Sequence, residues 1–251
     1  MAEKNTRLAP ARKRADLLLV ERGLFESRAR ARVAIEAGLV RADGQTVEKP
    51  SESLPVDVAL EAQPAHPYVS RGGVKLASAL EVYPINVKDR VCLDVGASTG
   101  GFTEVLLAQG ARLVFAVDVG RGQLHRSLRG HPAIVSMEET DIRHLNGKSL
   151  SERPDVVVID ASFISLKAVL PAALEVAATP TDLLALIKPQ FEAERKHSKR
   201  GIIRDARVHS EICSDMAAFA ASLGCRDIKI FPSPIKGGDG NAEFFLGARR
   251  G

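Results

Sequence analysis

Aromatic residues are scarce. The 251 residues include no tryptophan, two tyrosines and nine phenylalanines, which argues against a single-strand binder built on stacked aromatic platforms. Cysteine is equally thin. Cys92, Cys213 and Cys225 are odd in number and far apart, without a C-x-x-C pair or an H-E-x-x-H string, so neither a disulfide framework nor a structural zinc site is expected. The six histidines are scattered without ligand spacing, and no metal is expected. No run of about 18 apolar residues occurs, so no membrane-spanning helix is expected. The first apolar run, Leu17 to Val20, stops at Glu21 and Arg22, too short for a signal peptide. These absences point to a reduced cytoplasmic setting and no membrane partner.

What is present is an ordinary globular composition, 45% hydrophobic and 26% charged, with enough length to bury a core. The net charge of +4 and pI near 9.0 permit a nucleic-acid partner without demanding one. The charge is uneven. Residues 1–41 carry a net +5 and residues 42–66 a net −4. Gln63-Pro64-Ala65-His66-Pro67 punctuates the chain and reads as a linker, so we expect a small unit over 1–63 with its core at 14–60, a linker over 64–69, and a larger unit over 70–251.

The small unit reads as a short helix from Arg14 to Val20, broken at Gly23. A second helix follows over Arg28–Ala37, with Ser27 as its N-cap and Gly38 as its stop. Short strands flank a turn at Asp43-Gly44. One helical face carries Arg28 and Arg32. That face is either an ordinary solvated surface or one that contacts phosphates, which closely spaced guanidiniums match. The run RADLLLVERGLFESRARARVAIEAGLVRADGQTV resembles the small RNA-binding domain named after the ribosomal protein S-four. The resemblance implies RNA contact through Arg14, Arg28 and Arg32.

The larger unit alternates apolar runs of strand length (90–95, 113–118, 133–137, 155–160, 182–187) with helical stretches (102–108, 166–177 interrupted at Pro171, 208–223). Such alternation implies a parallel sheet with helices on both faces. Residues 229–231 and 243–248, around the loop PSPIKGGDGN, read as a closing hairpin, which makes the last strand antiparallel. The expected fold is therefore α/β: a Rossmann-like class I methyltransferase with a seven-stranded, mostly parallel sheet and a small α+β domain in front.

In such sheets ligands bind at the carboxyl ends of the strands. The first strand ends in Asp94-Val95-Gly96-Ala97-Ser98-Thr99-Gly100-Gly101-Phe102, a glycine turn that is not G-x-G-x-x-G. A carboxylate before the turn suits a cationic or hydroxyl-bearing ligand better than a pyrophosphate, which favours S-adenosylmethionine over NAD. The candidate cofactor residues are Asp94, Gly96, Ser98, Thr99, Gly100, Gly101 and Phe102, with Asp118 at the next strand end for the ribose hydroxyls. Asp141, after the third strand, reads either as the adenine contact or as a solvated loop acid.

Four further residues converge on the same edge: Asp160 and Lys188 at strand ends, Glu243 at the start of the antiparallel strand, and Lys75 on a helix preceding the sheet. They read either as a salt-bridge network or as a site for methyl transfer. Burial and a second lysine favour a neutral Lys188, which is a base; Asp160 and Glu243 favour an ammonium, which stabilises developing charge. Both roles remain open. Phe163 reads first as core, with a wall of the target pocket as the alternative. Segment 188–209 carries a net +4, and its long loop, Phe191–Gly201, reads as an RNA-facing flap containing Arg195, Lys196 and Arg200, with a solvated mobile loop as the alternative.

The motifs YVSRGGVKL, DVGASTGGFT, VFAVDVGRGQL, VVVIDASFISL, LIKPQFE, GIIRD and SPIKGGDGNAEFFL run in the order of the TlyA-type (haemolysin A) ribosomal RNA methyltransferases. The chain resembles that family over roughly residues 14–248. The resemblance implies an FtsJ-like catalytic domain, a Lys-Asp-Lys-Glu tetrad at Lys75, Asp160, Lys188 and Glu243, S-adenosylmethionine as cofactor, and 2′-O-methylation of cytidine in ribosomal RNA. At Asp141 the family commonly has asparagine. Ribosomal RNA or a ribosomal subunit is the expected partner, and no required protein partner is evident. The alternatives are a lytic haemolysin and a non-catalytic ribosome-assembly factor.

Overall fold

The computed structural model describes residues 11–193 and 201–251. The chain divides between Pro67 and Tyr68 into two compact units.

In the first unit, β1 (Arg12–Arg14) leads directly into α1 (Ala15–Glu21), and α2 (Arg28–Glu36) follows. Ser27 caps α2 by accepting a hydrogen bond from the Arg30 amide. The strands β2 (Val40–Ala42), β3 (Gln45–Thr46), β4 (Ser53–Pro55) and β5 (Leu60–Ala62) are short. They form a three-stranded sheet in the order β3-β2-β5 and a two-stranded pair, β1-β4. Asp43 and Gly44 both adopt positive φ between β2 and β3, the backbone a two-residue hairpin of primed type requires. Leu18, Leu19, Ala31, Ile35, Val40 and Leu54 close a small core.

The second unit opens with α3 (Arg71–Val82), then alternates β6 (Val91–Val95), α4 (Gly101–Ala108), β7 (Leu113–Val117), β8 (Ile134–Met137), a 3-10 turn (Ile142–His144), β9 (Val156–Ile159), α5 (Leu166–Val176) and β10 (Thr181–Ile187). The short α6 (Pro189–Glu192), α7 (Ala206–Ser222), β11 (Cys225–Pro232) and β12 (Phe244–Arg250) complete it. The strands form one sheet in the order β11-β12-β10-β9-β6-β7-β8, with β12 antiparallel to both neighbours. The two-residue period of the strands sorts the core. Leu93, Val157 and Leu183 face α5 and α7, while Cys92, Val158 and Leu184 face α3 and α4. The order reverses between β6 and β9, so the crevice of the fold lies at their carboxyl ends.

Both hairpin strands are longer than the sequence pattern suggests, and α5 runs unbroken through Pro171. Pro171 is on the exposed side of α5, where water can take the carbonyl that loses its donor, while Leu166, Val169, Leu170 and Leu174 hold the other side on the sheet.

Candidate active site at the carboxyl edge of the sheet

Asp94 lies in β6 and points toward α4. Its side chain is fully buried, and Oδ2 accepts a 2.6 Å hydrogen bond from the Thr103 hydroxyl, while Oδ1 has no partner among the described residues. Burial pushes this carboxyl up to about 7, opposed by the Thr103 bond and reinforced by the charges of Asp160 and Asp118. A buried carboxylate oxygen without a donor is costly unless a ligand supplies one. The need is for a cationic or polar donor beside the glycine turn.

That turn is shaped by close approaches. Gly96 has φ +83, and a Cβ there would stand 2.8 Å from the Asp160 carbonyl oxygen; no other residue type fits. Gly101 sits where α4 meets α3, and its Cβ would lie 2.8 Å from the Gly73 amide nitrogen. Gly100, the αL cap of α4, abuts Leu124 and Leu128. Ser98 is exposed and also has positive φ, its hydroxyl on Gln123 at 3.0 Å, and Thr99 beside it is half-buried. The Phe102 side chain, expected among the cofactor contacts, is instead a core group 6.3 Å from the Phe245 ring. It is the second residue of α4, on the face packed against α3, so its ring belongs to the core rather than the turn.

Asp118 follows β7 directly. Oδ2 accepts from the Ser98 amide at 2.8 Å and Oδ1 from the Gly120 amide at 2.7 Å, so the carboxylate braces two loops and keeps outer lone pairs for hydroxyl donors. Asp141 is committed to its own chain. It caps the 3-10 turn through the Arg143 amide and is gripped by the Arg143 guanidinium, which holds its carboxyl down to about 2.

The four residues expected at the reaction centre form two ion pairs. Lys75, on α3, reaches Glu243, just before β12, with Nζ 2.6 Å from Oε2, both side chains buried. Lys188 follows β10, and its Nζ lies 2.5 Å from Asp160 Oδ1, 2.7 Å from Ser162 Oγ and 3.3 Å from the Asp160 carbonyl. The strand register puts the donors together. Ile187 is opposite Phe244, so the chain leaving β10 and the chain entering β12 meet at one edge, beside the end of β9. Phe163 is not core. It is 91% exposed with φ +64, and its ring lies 5.2 Å from that of Phe191.

Several supporting residues carry no signature in the sequence. Thr103 and Ser162 bond the buried carboxylate and the lysine. Glu138 accepts from the amides of Gly122, Gln123 and Leu124, ordering the loop after Asp118. Glu192 accepts from Ser165 Oγ and the Leu166 amide, fixing the segment that presents Phe163. A hydrophilic residue between motifs gives little hint of its target when the partner is a backbone amide.

In the first unit, Arg14 and Arg28 meet on Asp16, and Arg32 pairs with Glu36. Arg195, Lys196 and Arg200 lie outside the described residues. Among the described residues, no His/Cys/Asp/Glu group is arranged to hold a metal and no helix is long and apolar enough to cross a membrane.

Comparison with known proteins adds the following. An FtsJ-like methyltransferase model matches residues 68–250, and an S4 domain model matches residues 13–57. The chain is 44% identical to the 16S/23S rRNA (cytidine-2′-O)-methyltransferase TlyA of Mycobacterium tuberculosis, across 95% of this chain and 90% of that protein. It is 38% identical to a Brachyspira hyodysenteriae protein named hemolysin A, across 92% and 97%. A solved Streptococcus thermophilus chain, which also carries a hemolysin name, is 40% identical, covers 96% of this chain and 90% of its own length, and has a TM-score of 0.77.

Proposed function

Because the chain belongs to the FtsJ-like methyltransferases, in the TlyA branch that carries an S4 domain, we propose that it methylates the ribose 2′-hydroxyl of a cytidine in ribosomal RNA, using S-adenosylmethionine. The observation that carries the reading is the pairing of two lysine–carboxylate bridges, one wholly buried and one partly, with an unpartnered buried Asp94 on one sheet edge.

The residues present fit the cofactor. Asp94 Oδ1 suits its ammonium, Asp118 its ribose hydroxyls, and the turn through Gly96, Ser98, Thr99, Gly100 and Gly101 lets the backbone come close. Asp141, held by Arg143, fits the adenine contact less well. When bound, S-adenosylmethionine supplies an electrophilic methyl group on a cationic sulfur.

The chain's own residues then have to make a weakly acidic hydroxyl nucleophilic. Lys188 Nζ is ringed by three oxygens, an environment suited to an ammonium that stabilises charge developing on the ribose oxygen. Asp160 is the most exposed of the four side chains and offers the departing proton a route to solvent. The Lys75–Glu243 bridge supplies a second buried donor beside the first. Phe163 walls the target pocket. Arg14, Arg28 and Arg32, together with Arg195, Lys196 and Arg200 of the long loop, contact RNA phosphates.

The test is direct. Purified protein, ribosomal subunits and methyl-labelled S-adenosylmethionine should yield label in ribosomal RNA at a cytidine 2′-oxygen. Label on a base, or no label in any ribosomal RNA, defeats the reading.

A further inference from the structure

One constellation belongs wholly to the first unit. Asp16, in the first turn of α1, is only 3% exposed, yet its carboxylate serves two arginines. Arg14 Nε and Nη2 bond Oδ1 and Oδ2 at 2.9 and 3.0 Å, and Arg28 Nη2 and Nε bond Oδ2 at 2.8 and 3.2 Å. Arg14 closes β1 and Arg28 opens α2, so one carboxylate joins two elements. The two arginine side chains are about half exposed, at 45% and 56%. Both forks are engaged through Nε and Nη2, which leaves the Nη1 edges without an acceptor among the described residues. Arg14, Asp16, Arg28, Arg32 and Ser51 line an open cavity of about 460 Å³.

A buried carboxylate is an expensive way to stabilise a small domain, since an apolar residue of similar size often does as well. Its distinguishing effect here is geometric. Free arginine side chains each carry about 2 kcal/mol of rotamer entropy, and fixing both before the ligand arrives removes that cost from binding. Glu36, paired with Arg32, also lines the cavity, so three arginines face two carboxylates and the cavity stays cationic. The Asp16 carboxyl is held down to about 2, chiefly by Arg14, so the bridge stays ionised at any physiological pH.

We propose that Asp16 is a positioning residue for RNA binding: it sets the Arg14 and Arg28 guanidiniums so that their outer edges clamp one backbone phosphate. The inference rests on the reading that the S4 unit binds ribosomal RNA.

The sign of one substitution tests it. Asp16→Asn raises the net charge by one, which by charge alone strengthens RNA binding; loss of positioning weakens it. With the full-length protein and a ribosomal subunit, Asp16→Asn should bind about tenfold more weakly and show a shallower dependence on salt, by roughly one phosphate contact. Affinity for S-adenosylmethionine should not change. Unchanged or tighter RNA binding overturns the proposal. Arg14→Ala with Arg28→Ala separates the two levels. If that double variant also binds normally, the reading of the S4 unit fails, whereas if it binds weakly and Asp16→Asn does not, only the positioning role fails. Should Asp16→Asn unfold the first unit by circular dichroism, Arg14→Lys with Arg28→Lys decides instead. It preserves the charge but not the forks, so a loss of about tenfold supports the clamp and full affinity overturns it.

Discussion

Asp94→Asn should make the cofactor-free protein more stable at pH 8 and less able to bind S-adenosylmethionine. The carboxyl moves from an ordinary 3.8 to about 7 on burial. Between those values the folded chain holds a proton that the unfolded chain has released, so stability falls as pH rises across that window. The stabilising contribution is complete below about pH 4 and gone above about pH 7. At roughly 1.4 kcal/mol per unit, burying the carboxyl costs about 2 kcal/mol at pH 5, where the folded chain keeps it protonated, and about 4 kcal/mol at pH 8, where it is ionised. Asparagine cannot ionise and still accepts from Thr103, but it points an unpaired amide where Oδ1 stood, which costs about 1–3 kcal/mol. The net gain at pH 8 is then about 1–3 kcal/mol, or roughly 3–10 °C in Tm for a unit of this size. The assay is thermal unfolding of both proteins without cofactor at pH 5 and pH 8, with cofactor calorimetry at pH 8. The difference in stability between variant and parent should grow by about 2–3 kcal/mol from pH 5 to pH 8. A variant that melts lower than its parent at pH 8, or a difference that ignores pH, refutes the argument. So does undiminished cofactor binding, since the unpartnered oxygen is then not the ligand's.

Lys188→Ala should reduce methyl transfer by about a thousandfold or more, as expected for loss of a preorganised charge, with cofactor binding retained in calorimetry. Lys188→Arg keeps the charge, and if it recovers no part of the activity the electrostatic role loses its support. Phe163→Ala should lower transfer about tenfold with little change in melting temperature, because a side chain that is almost wholly exposed contributes little packing; a fall of several degrees would mean the ring is structural. The hemolysin names of some relatives invite a liposome test, in which purified protein should release no entrapped dye; leakage at micromolar protein would require a second activity.

The sequence made the sheet legible because its signal is periodic. Runs such as VVVI at Val156–Ile159 are buried on both faces and can be read without knowing any partner. The strand ends were legible for the same reason, which is why Asp118, Asp160 and Lys188 fell on one edge by topology alone. Phe163 was misread because an aromatic after a strand is ordinarily core, and only the positive φ and exposure reveal that it is turned outward. The core placement of the Phe102 ring was not legible, since proximity to a glycine turn says nothing about which face of α4 a side chain takes. Glu138 and Glu192 were invisible as functional groups because their partners lie 14 to 27 residues away or are backbone amides, and Asp16 because its bridging role appears only when Arg28, 12 residues on, joins Arg14 on it. Pairings of that kind are fixed by packing rather than by local pattern.

The closeness of Gly96 to the Asp160 carbonyl ties together two tasks that many enzymes keep apart. The same carbonyl oxygen that a Cβ on Gly96 would strike at 2.8 Å also accepts from Lys188 Nζ. A single peptide group is therefore the wall of the glycine turn on one side and an anchor of Lys188, the lysine proposed to act in methyl transfer, on the other. On the proposed roles of the turn and of Lys188, affinity and turnover are coupled across that wall. A substitution that loosens the turn displaces the lysine two strands away, so variants at Gly96 should lose both properties together, leaving selection few intermediate forms to work with.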